Sequence, residues 1–176
     1  RGKQLTYNSH NGTDFAIPVG SKVCTAAAGM VVAILSQFNR GGLKIFIDHG
    51  EGLMTCYAHL AKSLVQVGQV LQRGQAIAIS GYSGLDAVVT FPFGVPHVHF
   101  NVWLNGEPVD PFGSAGQISM WVGGNLPAVA DTNDGKYQPS DYDAAEVELA
   151  IQHCKTPAVK ERLSEIAFAE EKAVHT

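Results

Sequence analysis

Two histidines stand one residue apart in PHVHFNVW, residues 96–103, and the segment around them reads as a β-strand. Successive side chains of a strand point to opposite sides, so His97, His99, Asn101 and Trp103 share one face. Val98, Phe100, Val102 and Leu104 share the other; apolar and β-favouring, they are expected to face the core. The imidazoles then look at solvent, a partner or a site. Two further settings hold chemistry-bearing residues. SHNGTD, residues 9–14, places His10 and Asp14 four apart in a glycine-bearing loop that can curl to bring both side chains together. CYAHL, residues 56–60, places Tyr57 and His59 on one face of a strand and Cys56, Ala58 and Leu60 on the other. His10, Asp14 and one of His97 or His99 would form a two-histidine, one-carboxylate set. That donor set suits zinc with a fourth position left for water, the open arrangement of hydrolytic sites. The histidines beside it would be free to move protons near neutral pH.

The elements that must position these residues are short. Residues 1–14 are rich in Asn, Gly, Ser and Thr and read as loop. From Val19 to about Asp110 apolar segments are cut by turn residues. Strands are expected over Lys22–Thr25, Gly29–Ser36, Leu43–Asp48, Leu53–Leu60, Ala76–Ser80 and His97–Leu104. Asn105-Gly106 is a two-residue hairpin signal. No amphipathic helix of useful length precedes residue 130, so this part reads as an antiparallel β-sandwich or barrel-like body. After Asp110-Pro111 the character changes. Residues 113–139 are irregular, then Ser140 and Asp143 mark a helix start, with Val147, Ala150, Ile151 and Cys154 at helical spacing. Thr156-Pro157 restarts a second helix, with Val159, Leu163, Ile166 and Ala167 on one stripe. The expected organisation is a β domain over residues 1–112 and an irregular linker plus two-helix extension over 113–176. With the β pattern complete by Asp110, the extension reads as dispensable for folding of the body.

Composition narrows the partners. The net charge of −4 divides unevenly: residues 1–130 carry seven Lys+Arg and six Asp+Glu, residues 131–176 five and ten. Neither part has a basic stripe, which argues against nucleic acid. The longest apolar run, Thr25 to Leu35, falls short of the ~20 residues that span a bilayer. The chain begins at Arg1, so a segment ahead of it is expected, and membrane contact would come only through that segment. Cys24, Cys56 and Cys154 lack metal-type spacing and allow at most one internal disulfide. Composition gives no indication of oligomeric state.

Four stretches, taken in order, resemble the lysostaphin-type, or LytM-like, zinc metallopeptidases that cut peptide bonds of bacterial peptidoglycan. They are HNGTDFAIPVGSKVCTAAAGMVV, IDHGEGLMTCYAHL, VGQVLQRGQAIAISGYSG and PHVHFNVWLNGEPVDP, together covering roughly residues 8–112. The resemblance implies the duplicated hybrid motif type of β fold, one Zn²⁺ per chain held by His10, Asp14 and His99, and a catalytic pair made of His59 and His97. It implies a peptidoglycan endopeptidase of the cell envelope, periplasmic or extracellular, whose partners are peptidoglycan peptides. The chain departs from the family at LDAVVTFPFGV, residues 85–95, where relatives have a short Gly/Ser/Thr turn, and in the helical tail.

Other readings fit less well. The alternative is a catalytically restrained peptidoglycan-binding or amidase-activating module of the same fold; such modules typically lack one or more of the ligands retained here, though the apolar loop or the tail could occlude the cleft and leave an enzyme that needs activation. VGQVLQRGQAIA resembles the strand-turn-strand of biotinyl or lipoyl carriers, but no lysine stands in a tight hairpin at the required place. Cupins also use H-x-H, with a glutamate four or five residues later; Trp103 and Leu104 stand there. His49, in a turn after a strand, reads as structural, and His153 and His175 as surface residues of the tail.

Overall fold

The computed structural model describes residues 11–89, 95–113, 115–116, 118–120, 137–138, 140, 144–153, 157, 160–161 and 164. His10, Cys154, His175, residues 90–94 and most of the second expected helix lie outside the described residues. Among the described residues nine strands form one antiparallel sheet: β1 (Thr13–Ala16), β2 (Lys22–Cys24), β3 (Gly29–Gln37), β4 (Gly42–Gly50), β5 (Leu53–Ser63), β6 (Val70–Leu71), β7 (Ala76–Ser80), β8 (His97–Leu104) and β9 (Glu107–Pro108). The main path runs β1-β8-β5-β4-β3-β6, and β7 branches from the end of β5 to pair with β2. Among the described residues two helices have defined bounds, α1 (Leu85–Val89) and α2 (Ala144–His153). The mainly β, antiparallel class expected from the sequence is the one observed.

The long strands are those whose apolar residues give them two buried neighbours. Val31 of β3, Ile45 and Ile47 of β4, Leu60 of β5 and Ile77 of β7 are fully buried in one cluster that also takes Val98, Phe100 and Val102 of β8. Each such aliphatic side chain contributes roughly 1.5–3 kcal/mol by leaving water. Leu104, expected with that set, is exposed at the strand end. Beyond it Asn105 and Gly106 take positive φ, 52° and 81°, and close a two-residue hairpin in which Leu104 faces Glu107. Three strands escaped the sequence pattern. β6 and β9 are two residues each, too short to show a period, and β1 is an edge strand formed by TDFA, whose order comes from pairing with β8. The apolar segment after Gly84 holds the single helical turn α1, with Ala87 fully buried and Leu85 and Val88 exposed.

The carboxy-terminal extension is tied to the body at one buried carboxylate. Asp48, 1% exposed on β4, accepts hydrogen bonds from the Tyr137 hydroxyl (2.7 Å), the Ser140 hydroxyl (2.6 Å), the Ser140 amide (3.2 Å) and the Gly50 amide (3.1 Å). The Ser140 hydroxyl in turn accepts from Gly52 N–H, and the strap crosses Gly50 so closely that any Cβ there would strike the Gln138 carbonyl. Truncation ahead of residue 137 would therefore remove three of the four donors to a buried charge. Replacing Tyr137 by Phe and Ser140 by Ala together is expected to cost about 2–4 kcal/mol, because a buried carboxylate left short of donors bears its desolvation uncompensated. Urea unfolding checks this, and a loss under about 0.5 kcal/mol would show that water replaces the strap. Past the strap, α2 is described from Ala144; Ser140, expected to cap it, is bonded to Asp48 instead, and residues 141–143 lie outside the described residues. Of the second expected helix, Pro157, Lys160, Glu161 and Ser164 are helical.

Candidate active site

Asp14 lies on β1 rather than in a loop, directly opposite His99 of β8 in the antiparallel register. Cross-strand partners share a face, and the carboxylate and imidazole meet there, Asp14 Oδ1 to His99 Nδ1 at 2.7 Å. His97, two residues earlier on β8, shares that face as alternation demands. Its Nε2 is 3.8 Å from the same carboxylate oxygen. Unlike the half-wet histidine a surface strand would carry, His97 is 3% exposed.

His59 reaches the same face by a different route. Across β4 and β5, Ile45 pairs with Tyr57 and Leu43 with Leu60, so one β4 residue faces two on β5. This is a β-bulge. His59 occupies it with φ of 59°, a left-handed conformation uncommon for a side-chain-bearing residue though more accessible to His than to most. The consequence is a switch of faces. Tyr57 and Leu60 both join the core, Tyr57 packing on Phe100 with ring centroids 5.0 Å apart. His59 instead meets His97 at 4.7 Å between centroids and His99 at 6.2 Å. Simple alternation, which grouped His59 with Tyr57 and Leu60 with Ala58, fails here because the extra residue resets the period.

Hydrogen bonds set the tautomers. His59 Nδ1–H donates to the Ser83 carbonyl at 2.8 Å, and His97 Nδ1–H to the Val95 carbonyl at 2.9 Å. A carbonyl only accepts, so each ring carries its proton on Nδ1, and in the neutral form Nε2 is the basic nitrogen. Burial holds the His59 imidazole below its ordinary pKa, against the opposing pull of the Ser83 carbonyl and the Asp86 carboxylate. A neutral ring ready to take a proton at pH 7 follows.

Asn11 and Gly12, just ahead of β1, are held across β8. Asn101 Nδ2 donates to the Asn11 carbonyl at 2.7 Å. A Cβ on Gly12 would lie 2.6 Å from His99 Nε2 and 2.5 Å from the Phe100 carbonyl. Only glycine lets the chain lie this close to the imidazole. Sequence reasoning put Asn101 on the histidine face without giving it a role, and passed over Gly12.

Asp14 and His99 present facing oxygen and nitrogen donors, a pair of the kind a divalent cation could bridge. With a second imidazole from the His10 loop the set is the borderline, oxygen-and-nitrogen type that zinc favours. Among the described residues themselves no group of three or more His, Cys, Asp or Glu is arranged to hold a metal; His10 is not among them. His49 stands apart. Its Nδ1–H donates to the Ala28 carbonyl (2.8 Å), its Nε2 accepts from the Thr55 hydroxyl (2.7 Å), and burial lowers its pKa. His153 is the exposed last residue of α2. Cys24 and Cys56 are free thiols; burial pushes Cys56 up to about 12, which leaves it unreactive.

Comparison with known proteins matches the same region. A family model described as peptidase family M23 covers residues 8–111. Peptidoglycan DD-endopeptidase ShyA of Vibrio cholerae is 43% identical over 101 residues, 57% of this chain and 22% of that protein. Among solved structures, a zinc-containing peptidase from Vibrio cholerae is 35% identical, with a TM-score of 0.52 over 62% of this chain and 33% of its own. The catalytic domain of the antimicrobial peptidase lysostaphin from Staphylococcus simulans is 28% identical, with a TM-score of 0.52 over 62% and 81%. The match thus spans about a fifth of the length of the curated relative.

Proposed function

The chain belongs to peptidase family M23, and from that footing we propose that it is a zinc-dependent endopeptidase hydrolysing peptide cross-links or stem peptides of bacterial peptidoglycan. One observation carries the proposal: Asp14, His59, His97 and His99, drawn from three strands, converge on one face of the sheet. A module that only binds peptidoglycan has no need of two buried, tautomer-fixed imidazoles beside a carboxylate–imidazole pair.

His10, Asp14 and His99 would hold the metal. When bound, zinc supplies Lewis-acid polarisation of a scissile carbonyl and a nucleophile from water near neutral pH. The remaining chemistry belongs to the chain. His59 and His97 are held by backbone carbonyls at Nδ1, so Nε2 of each is the atom that exchanges protons with substrate. As neutral bases they accept a proton from attacking water; as imidazolium they donate to the developing oxyanion or the leaving amine. Their rings stand edge to face with centroids 4.7 Å apart, close enough for both to act on one substrate peptide. The Ser83 carbonyl and the Asp86 carboxylate lie on the Nδ1 side of His59, and Leu85 and Val88 of α1 are exposed. Peptidoglycan lies outside the cytoplasmic membrane, so this substrate places the enzyme in the cell envelope.

The test is digestion of purified peptidoglycan with mass spectrometry of the released fragments, alongside elemental analysis. One zinc per chain and newly released peptides ending at a single bond type are expected. Protein prepared without chelators that holds no zinc, takes none up and releases nothing would overturn the proposal.

A further inference from the structure

The left-handed bulge that turns His59 toward the site needs something to hold it there, and the structure shows what does. The His59 N–H donates to the Gly41 carbonyl at 2.8 Å. The other side of Gly41 is clamped: its N–H is taken by both oxygens of Asp86, at 2.9 and 2.7 Å. Asp86 stands in α1, 45 residues from Gly41 in sequence. The same junction carries Ser83, whose carbonyl accepts the His59 ring proton. The Ser83 hydroxyl donates to the Leu60 carbonyl (2.7 Å) and accepts from Leu43 N–H (2.9 Å). Leu85 N–H closes the junction on the Phe38 carbonyl at 2.7 Å. Gly42 and Ser83 are packed so tightly that a Cβ on Gly42 would strike Ser83. Backbone and ring of His59 are therefore both fixed from one place, the seam between α1 and the β3–β4 turn.

We propose that Asp86 is a positioning residue for His59: by clamping the Gly41 peptide it holds the bulge that aims the imidazole and docks the Ser83 carbonyl that sets the ring. Asp86 does not touch substrate in this account. Its carboxylate lies 4.0 Å from His59 Nδ1, behind the ring. The inference rests on the peptidase reading for its effect on turnover and on geometry alone for its effect on His59. A carboxylate is suited to the task because two oxygens can follow one amide through small movements, and charge-assisted bonds to backbone N–H are the stronger kind. Catalytic groups displaced by about 1 Å lose on the order of a hundredfold in rate, so the clamp has a measurable consequence.

The experiment uses the full zinc-loaded chain and its Asp86→Ala, Asp86→Ser and Asp86→Asn variants. Turnover is measured on soluble cross-linked muropeptides, and ¹⁵N NMR follows hydrogen exchange of the Gly41 and His59 amides and of the His59 Nδ1–H. Asp86→Ala is expected to lower kcat about ten- to a hundredfold with KM within about twofold and zinc content unchanged. Asp86→Asn keeps an acceptor for Gly41 N–H and should recover to within about threefold of wild-type. Asp86→Ser falls between and serves as the informative variant if alanine prevents folding. Exchange protection at His59, backbone and ring, should fall in the order of the kcat losses. Unchanged His59 protection in the alanine or serine variant overturns the proposal, as does a wild-type kcat in either. Failure of the wild-type chain to cleave anything would sink the peptidase reading instead, while the exchange measurement still decides the role of Asp86.

Discussion

Replacing Asp14 or His99 with alanine is expected to remove the metal and the hydrolysis together. The two residues are register partners on β1 and β8, their donor atoms are 2.7 Å apart, and each would supply one of three protein ligands. A site reduced from three donors to two on a surface strand pair has no other anchor for zinc. Zinc content should fall from about one per chain to near zero, and peptidoglycan hydrolysis to background, with the thermal melt of the metal-free protein retained. Elemental analysis of gel-filtered protein gives the answer. If His97→Ala shed the metal while His99→Ala kept it, the assignment of ligand and proton carrier on β8 would be reversed.

His59→Ala and His97→Ala should part company with those variants: metal near one per chain, hydrolysis down by at least about a hundredfold. Neither is assigned as a ligand, and each ring is held by a carbonyl at Nδ1 with Nε2 left for substrate. A positioned general acid or base contributes about 10²–10⁴-fold, and an oxyanion donor about 10²–10³-fold. Because the rings touch at 4.7 Å, the double variant is expected to lose little more than the worse single one, as residues acting as a unit do. Multiplying losses would show that the two imidazoles act in separate steps. A near-wild-type His59→Ala would return that residue to a structural role.

Much of this arrangement could be read from the sequence, and the exceptions have a common cause. β7 and β8 match their expected limits because alternation and flanking turns are local signals, and the Asn105-Gly106 hairpin is read from two residues. His97 and His99 share a face for the same local reason. The face of His59 was not legible, since a bulge is a property of two strands in register and Lys44 gives no hint that it faces two residues. Asp86 was invisible for a related reason: its partner Gly41 is met only after β4, β5, β6 and β7 have been threaded between them. Tyr137 and Ser140 likewise read as linker until Asp48 is placed beneath them. Local chemistry was written in the string, and what depended on the register or placement of another segment was not.

The separation of Asp14 and His99 has a consequence in time. They lie 85 residues apart, and the strand bearing Asp14 sits at the end of the sheet path with β8 as its neighbour. Closing a loop of that length costs roughly 4 kcal/mol of chain entropy beyond the constant term, so the pairing is made late, once the intervening strands have shortened the effective loop. During synthesis at about 5–20 residues per second, β8 follows β1 from the ribosome by roughly 4–17 s. Throughout that interval the nascent chain has a carboxylate without its imidazole. On the proposed reading, a fragment ending before His97 would lack one of the metal's ligands and both imidazoles of β8. The Asp14–His99 pair can thus form only after β8 has emerged, and the strap that bonds Asp48 from Tyr137 and Ser140 follows later still.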